Sequence, residues 1–391
     1  MLRNLKQLRR WLAIAVVVGL VCCAVAPAAK PVKPVTPAYS IVPFVSPFAA
    51  PDGYNSVGST VRNLNDCGQA VGFEAFSDGS SESVYQTLHL DIETEAYTLL
   101  PDGCLPSGVN NLNQLVGTRT LSDGRHLGMF LTDPDDTTPD DLGPLEGHTQ
   151  SDALAINDAG VVVGYSWNDD GSSASAALWI VKVDEAGGVW RDGPWELPPL
   201  AGDARACAVD LNEVIDEPWC QVTGHSFGAA DESYEAVVWT VFVNGTTATP
   251  GPAVTLVNNN AWSQGGGIND SGDVCGLVDV DGKKLPFLAP AGQTAQPLPV
   301  PRNTRYGIAS DVNNLGEVVG QLAILLKARY EAHYAYLWKD GTMIDLETQI
   351  DPDSGWDRLW AASCINDPGI IAGCGSFDIA YRAFLLIPNP Q

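Results

Sequence analysis

Positive charge is what this chain has least of. Lys and Arg total 21 against 47 Asp and Glu, a net charge of −26 over 391 residues. Five of the basic residues (Arg3, Lys6, Arg9, Arg10, Lys30) lie in the first thirty positions, which hold no acidic residue, so the rest is more acidic still. Such a surface repels phosphate backbones and anionic lipid, which argues against nucleic acid and membrane as partners. Histidines are few and scattered: His89, His126, His148, His225 and His333 form no i, i+4 pair and join no Cys-x-x-Cys, so the usual zinc patterns are missing. After residue 30 no apolar run reaches the about 20 residues of a membrane span. No segment carries the periodicity of a long amphipathic helix. What is present is 45% hydrophobic with 39 Gly and 27 Pro. That is too apolar for disorder and too punctuated for a helical bundle.

The N-terminus is laid out as an address. Met1 to Arg10 carries positive charge, Trp11 to Ala26 is apolar, and Ala26-Pro27-Ala28 or Pro27-Ala28-Ala29 offers a small-residue cleavage site. Residues 1–29 therefore read as a secretory signal peptide. Cys22 and Cys23 follow Val21 and Cys22 rather than a small residue, which weakens a lipoprotein reading. Residues 30–38 read as a Pro-rich spacer. The remainder is expected in the periplasm or outside the cell.

Residues 39–391 hide a repeat behind unequal spacing. The template Ile156 to Gly164 (INDAGVVVG) recurs at Leu64 to Gly72 (LNDCGQAVG), Val109 to Gly117 (VNNLNQLVG), Ile268 to Gly276 (INDSGDVCG), Val312 to Gly320 (VNNLGEVVG) and Ile365 to Gly373 (INDPGIIAG). A further copy, Leu211 to Gly224, has the same ends with an insertion. The anchoring asparagines are Asn65, Asn110, Asn157, Asn212, Asn269, Asn313 and Asn366. Each copy reads as a β-hairpin: an apolar residue and Asn end one strand, Gly or Asn supplies a positive φ, and a Val-rich run starts the return. Third and fourth strands follow in each unit except the last, which stops after its third. Tyr39 to Phe44 resembles the missing fourth strand. The expected fold is all-β, a seven-bladed β-propeller of four-stranded antiparallel blades, closed by that N-terminal strand in the last blade.

The residues resemble the HAF repeat family of secreted bacterial proteins. Its unit is similar to an Ile-Asn-x-x-Gly-x-Val-Val-Gly run followed by a His-Ala-Phe-Leu-Trp strand and a Gly-x-Met-x-Asp-Leu strand. The best local match is Ala335 to Leu346 (AYLWKDGTMIDL), with Ala383-Phe384-Leu385 a second. The His-Ala-Phe triplet is intact nowhere, its His place holding Ser175, Glu235, Tyr334 and Arg382. The resemblance implies export and repetition, and no particular activity.

Gly224-His225-Ser226-Phe227-Gly228 fits the G-x-S-x-G nucleophile elbow. The repeat explains the match without catalysis, since Gly164-Tyr165-Ser166-Trp167 occupies the same places. Among the cysteines, Cys364 and Cys374 flank one hairpin and Cys207 and Cys220 bracket the insertion. Both pairs are expected to be disulfides in an oxidising compartment. Asp279-Val280-Asp281-Gly282 looks like a fragment of a calcium loop, which makes Asp279 and Asp281 the metal candidates. Trp179, Trp239 and Trp338 recur at one repeat position and read as wedges between blades. Trp190, Trp195, Trp356 and Trp360 fall outside it and are the ligand-contact candidates. The expected protein is thus a monomeric exported module that binds or scaffolds, with no chemistry and no cofactor. Its partner would be an extracellular ligand: a carbohydrate, a cation or a basic protein. The rival expectation is a secreted hydrolase or lyase acting on carbohydrate. Paired carboxylates facing inward at carboxylate-pair distance would favour the rival, and inward Gly, Ala and Val the scaffold.

Overall fold

Each repeated Asn closes its own hairpin. In the third unit the Asn157 side chain accepts from Val161 N–H at 3.0 Å, and Gly160 N–H returns to Asn157 O at 3.0 Å. Gly160 has φ +75°, and a Cβ there would stand 2.2 Å from Val181 O. Both conformation and space therefore demand glycine. In the second unit Asn113 takes the turn with φ +63°, as the other residue that tolerates left-handed backbone.

The computed structural model describes residues 37–390 apart from 81–82, 171–172, 214–217, 229–233, 258–261 and 327–329. The expected signal peptide 1–29 and most of the expected spacer 30–38 lie outside the described residues. Within them the chain is all-β, with one 3-10 turn at Leu346–Gln349 and no α-helix. Six sheets follow one another along the chain. Four have four strands, one has five, and one has eight. The eight-stranded sheet joins the strands of units five and six through a single parallel bridge, Lys284 to Tyr306. At the other extreme of the chain, Tyr39–Phe44 pairs antiparallel with Ala380–Pro388, from Tyr39 opposite Pro388 to Phe44 opposite Ala383.

The core lies between successive sheets rather than within one. Val163 and Leu178 of unit three pack with Val222 and Trp239 of unit four. Phe44, Leu64 and Leu88 pack with Cys364, Ala372 and Leu385 of unit seven. The recurring tryptophans serve as expected at two places. Trp179 and Trp239 are buried, and their Nε1–H groups reach Gly143 O at 2.9 Å and Pro198 O at 2.7 Å.

Two sets of hydrogen bonds run from unit to unit. In the first, six of the seven anchoring Asn side chains donate Nδ2–H to the carbonyl of the next anchor. Asn65 reaches Asn110 O, Asn110 reaches Asn157 O, and Asn157 reaches Asn212 O, at 2.7 to 3.0 Å. Asn269 reaches Asn313 O, Asn313 reaches Asn366 O, and Asn366 returns to Asn65 O at 2.9 Å. In the second, the residue after each anchor donates its backbone N–H to the side chain of its counterpart. The series runs Asp66, Asn111, Asp158, Glu213, Asp270, Asn314, Asp367 and back to Asp66.

The first strand of every unit also carries a register shift just before its Asn, as between Ala153 and Ala155 or Ala309 and Asp311. Such a bulge adds a residue and re-aims its neighbours. It also explains the closing Gly of the motif. A Cβ at Gly164 would lie 2.0 Å from Asp152 O, and one at Gly320 2.0 Å from Ile308 O.

Candidate active site in the axial cavity

The bulge turns two consecutive residues of each first strand toward a common space. The position three before each anchor is Arg62, Ser107, Leu154, Val209, Gly266, Ser310 and Ser363, and all seven line one cavity of about 630 Å³. The next position adds Asn63, Ala155, Asp210, Gly267, Asp311 and Cys364 to its wall. Aromatic side chains (Tyr165, Phe227, Tyr234, Trp262, Tyr306) complete the lining.

Asp210 and Asp311 are the acids of this wall. Each clamps its unit to the next: Asp210 Oδ2 accepts from Ile268 N–H at 3.0 Å, and Asp311 Oδ2 from Ile365 N–H at 2.9 Å. Asp311 Oδ1 also accepts from Val312 N–H at 2.8 Å. Protein surrounds both carboxyls, although each side chain keeps some surface toward the cavity. Withdrawal from water, and then the charge of Asp311, pushes Asp210 up to about 7. Withdrawal from water pushes Asp311 up to about 6, against the pull of its backbone donors. Asn63 makes the same clamp with no charge, accepting from Val109 N–H at 3.2 Å. The clamp alone does not need an ionisable group.

Other groups around the cavity are tuned by burial. His225 has a buried Nδ1 with no hydrogen-bond partner, and burial lowers its imidazole to about 4, so it is neutral at pH 7. Lys284 lies over the Trp262 ring at 3.3 Å. Asp152 is wholly buried beside the cavity, accepting from Thr118 Oγ1–H and from Tyr165 O–H at 2.7 Å, and its carboxyl is raised by burial.

The residues singled out from sequence lie elsewhere. Trp190 is 66% exposed on the outer strand Val189–Leu197. Trp195 packs on the core of units three and four. Trp356 is buried against Phe377 and Phe384, and Trp360 lies 5.6 Å from Tyr381. None of the four lines the cavity; Trp262 does. Asp279 and Asp281 belong to a tight hairpin turn, where Asp281 has φ +52° and Asp279 Oδ1 accepts from Gly282 N–H at 2.8 Å. Among the described residues no three His, Cys, Asp or Glu side chains gather around a point that could hold a metal.

Both expected disulfides are corrected by register. The turn at Asn366 sets Ile365 opposite Ile371, so Cys364 faces Ala372, while Cys374 faces Ala361. Cys207 faces His225 on the cavity side, whereas Cys220 is buried in the core between units three and four. All seven described cysteines are free thiols. Ser226 is fully buried, donating to Asp203 Oδ2 at 2.6 Å and accepting from Leu200 N–H at 2.9 Å. Ser166 does the same for Leu145 N–H at 3.0 Å, so the G-x-S-x-G match is a structural position.

No family model and no curated protein matches the chain. Solved structures do. The β-propeller domain of the Trilobed protease from Pyrococcus furiosus aligns over 84% of this chain and 93% of its own, with 9% identity and a TM-score of 0.52. The Pyrococcus horikoshii acylaminoacyl peptidase aligns over 83% of this chain and 52% of its own, at 9% identity and TM-score 0.48. A Trypanosoma rangeli sialidase aligns over 74% and 55%, at 10% identity and TM-score 0.37. The chain thus spans about half the length of these last two. The likeness to the first makes the fold a β-propeller and says nothing of substrate.

The expectation of a scaffold without chemistry, and with it the expectation of no enzyme, is overturned. What overturns it is this chain's own cavity wall, which carries two carboxyls, Asp210 and Asp311, among its inward Gly, Ala and Val.

Proposed function

We propose that the chain is a hydrolase or lyase that cuts a carbohydrate in the axial cavity of a seven-bladed propeller closed by Tyr39–Phe44. The reading of seven blades divides the eight-stranded sheet at its single parallel bridge. Ring closure is supported by the return of both hydrogen-bond series, Asn366 to Asn65 and Asp367 to Asp66. The Asn-turn-Val-Val-Gly run that builds these series supports reading the chain as an exported repeat protein of the HAF type.

The observation that carries the function is the pair Asp210 and Asp311. They share one cavity, the charge of Asp311 helps to raise Asp210, and their proton affinities are raised to about 7 and about 6. Two carboxyls of unequal affinity lose their protons in two steps. Between those steps one carboxyl is an acid and the other is ionised. Glycosidic cleavage needs that state: an acid to protonate the departing oxygen, and a carboxylate to act as base or nucleophile. Tyr165, Trp262 and Tyr306 supply flat apolar faces against which sugar rings stack.

Asn63 shows which variant tests this cleanly, because Asn keeps the clamp and removes the titration. Asp210→Asn and Asp311→Asn should fold and should each lose roughly 10²–10⁴-fold in rate, the usual contribution of general acid–base catalysis. The assay is a glycan panel, read for new reducing ends and for unsaturated ends that absorb ultraviolet light. Full activity in both variants, or no cleavage of any glycan by the native chain, would refute the proposal.

A further inference from the structure

Arg62 stands apart in the cavity wall. It is the one charged residue among the seven positions three before the anchors, whose others are Ser, Leu, Val and Gly. Its Nε is buried with no hydrogen-bond partner, and its guanidinium makes no ion pair among the described residues. Its recorded contact is with an aromatic face, the Phe73 ring at 5.4 Å. Asp152 attracts it, yet that carboxyl is already held by Thr118 and Tyr165. An unpaired cation withdrawn from water is costly, and nothing in the fold uses this one: the repeat accepts Ser or Gly at the same place.

We infer that Arg62 is the recognition group for a carboxylate on the substrate, so that the cavity takes a uronic-acid-bearing saccharide rather than a neutral one. The inference rests on the carbohydrate reading above and narrows its substrate class. The guanidinium fork matches a carboxylate with two parallel N–H donors. Lys284 over Trp262 places a second cation on the wall, beside a ring able to carry the sugar face.

The test is isothermal titration of the full chain carrying Asp210→Asn and Asp311→Asn, so that nothing is cut during measurement. Three probes are compared: an oligouronate, its carboxyl-reduced neutral counterpart, and a sulfated neutral oligosaccharide of the same length. The oligouronate should bind at least tenfold more tightly than either. Adding Arg62→Met should cost roughly ten- to hundredfold for the oligouronate, the value of a charged hydrogen-bonded contact, and leave the neutral probe unchanged. Arg62→Lys should fall between, since it keeps the charge and loses the fork. Arg62→Met should melt no lower than its parent, because it removes an unpaired cation; a melt checks that loss of binding is not loss of fold. Equal binding of neutral and acidic probes, preference for the sulfated probe, or unchanged affinity in Arg62→Met would each overturn the assignment. Oligouronate binding with no cleavage by the native chain would sink the hydrolase reading and leave this one standing. Cleavage of neutral glycans with no dependence on Arg62 would do the reverse.

Discussion

A single side chain can satisfy a catalytic motif and still have nothing to do with catalysis. Ser226 sits in Gly224 to Gly228 as an elbow serine would, yet its hydroxyl joins Asp203 to Leu200 N–H inside the core. Ser226→Ala should therefore act on stability alone. It leaves a buried N–H and a carboxyl short of a partner, which costs roughly 1–3 kcal/mol. Chemical denaturation should show that loss, and the rate on any cleaved glycan should stay unchanged. A rate loss larger than the fraction unfolded, or covalent labelling by a fluorophosphonate, would return Ser226 to the active site. The sequence made this residue readable because Ser166 repeats it. Asp210 and Asp311 were not readable in that way. Their inward direction depends on a bulge, and a bulge defeats the simple alternation by which a strand's faces are told apart. Arg62 was hidden for the same reason. The signal was nevertheless present: counted back from each anchoring Asn, those places hold mostly small or neutral residues, and Arg62, Asp210 and Asp311 are the exceptions.

At the scale of the element, the hairpins were legible because their turn chemistry is local. Asn157, Gly160 and Gly164 fix one turn and its register through contacts within a few residues. Cysteine pairing was not legible, since it depends on register to the residue: Cys364 needed Ala372 to be a cysteine, not Cys374. The N-terminal strand is a longer-range case that composition did reveal, by leaving the last unit one strand short. Tyr39–Phe44 covers the edge of Ala380–Pro388 and buries Phe44 against unit one. A chain beginning at Pro47 should expose that edge and lose the Phe44 contact. Its melting temperature should fall by several degrees. An unchanged melt would mean that Tyr39–Phe44 is ornament rather than closure.

The whole molecule carries its buried acids in one sense. Asp210, Asp311 and Glu213 hold their protons to about 7, 6 and 8, each chiefly through withdrawal from water. Glu213 is pushed further by Asp158, Asp270 and Asp66, its fellows in the inter-unit ring, and Asp66 is raised by burial as well. In the unfolded chain these groups titrate near 4, so between about 4 and 8 the folded state binds more protons than the unfolded one. Stability then falls as pH rises through that window. Self-repulsion in a chain of charge −26 acts in the same direction, because deprotonation adds to an already negative surface. The opposite contribution comes from exposed carboxyls lowered by their local hydrogen bonds, such as Asp78 and Asp123. Those carboxyls lose their stabilising share only as pH drops below about 4, whereas the buried imidazole of His225, lowered to about 4, adds stability as pH rises from about 4 to 6.5 and offsets part of the decline there. The melting temperature should therefore peak near pH 5 and decline toward pH 8. Most proteins instead hold their maximum between about 5 and 8 without such a fall. Asp210→Asn and Asp311→Asn should each flatten part of the decline, and Glu213→Gln the part nearest pH 8. A melting temperature that rises from pH 5 to pH 8, or variants with the native slope, would show that these carboxyls are ionised in the folded protein. The acid half of the proposed pair would then lose its proton along with its role.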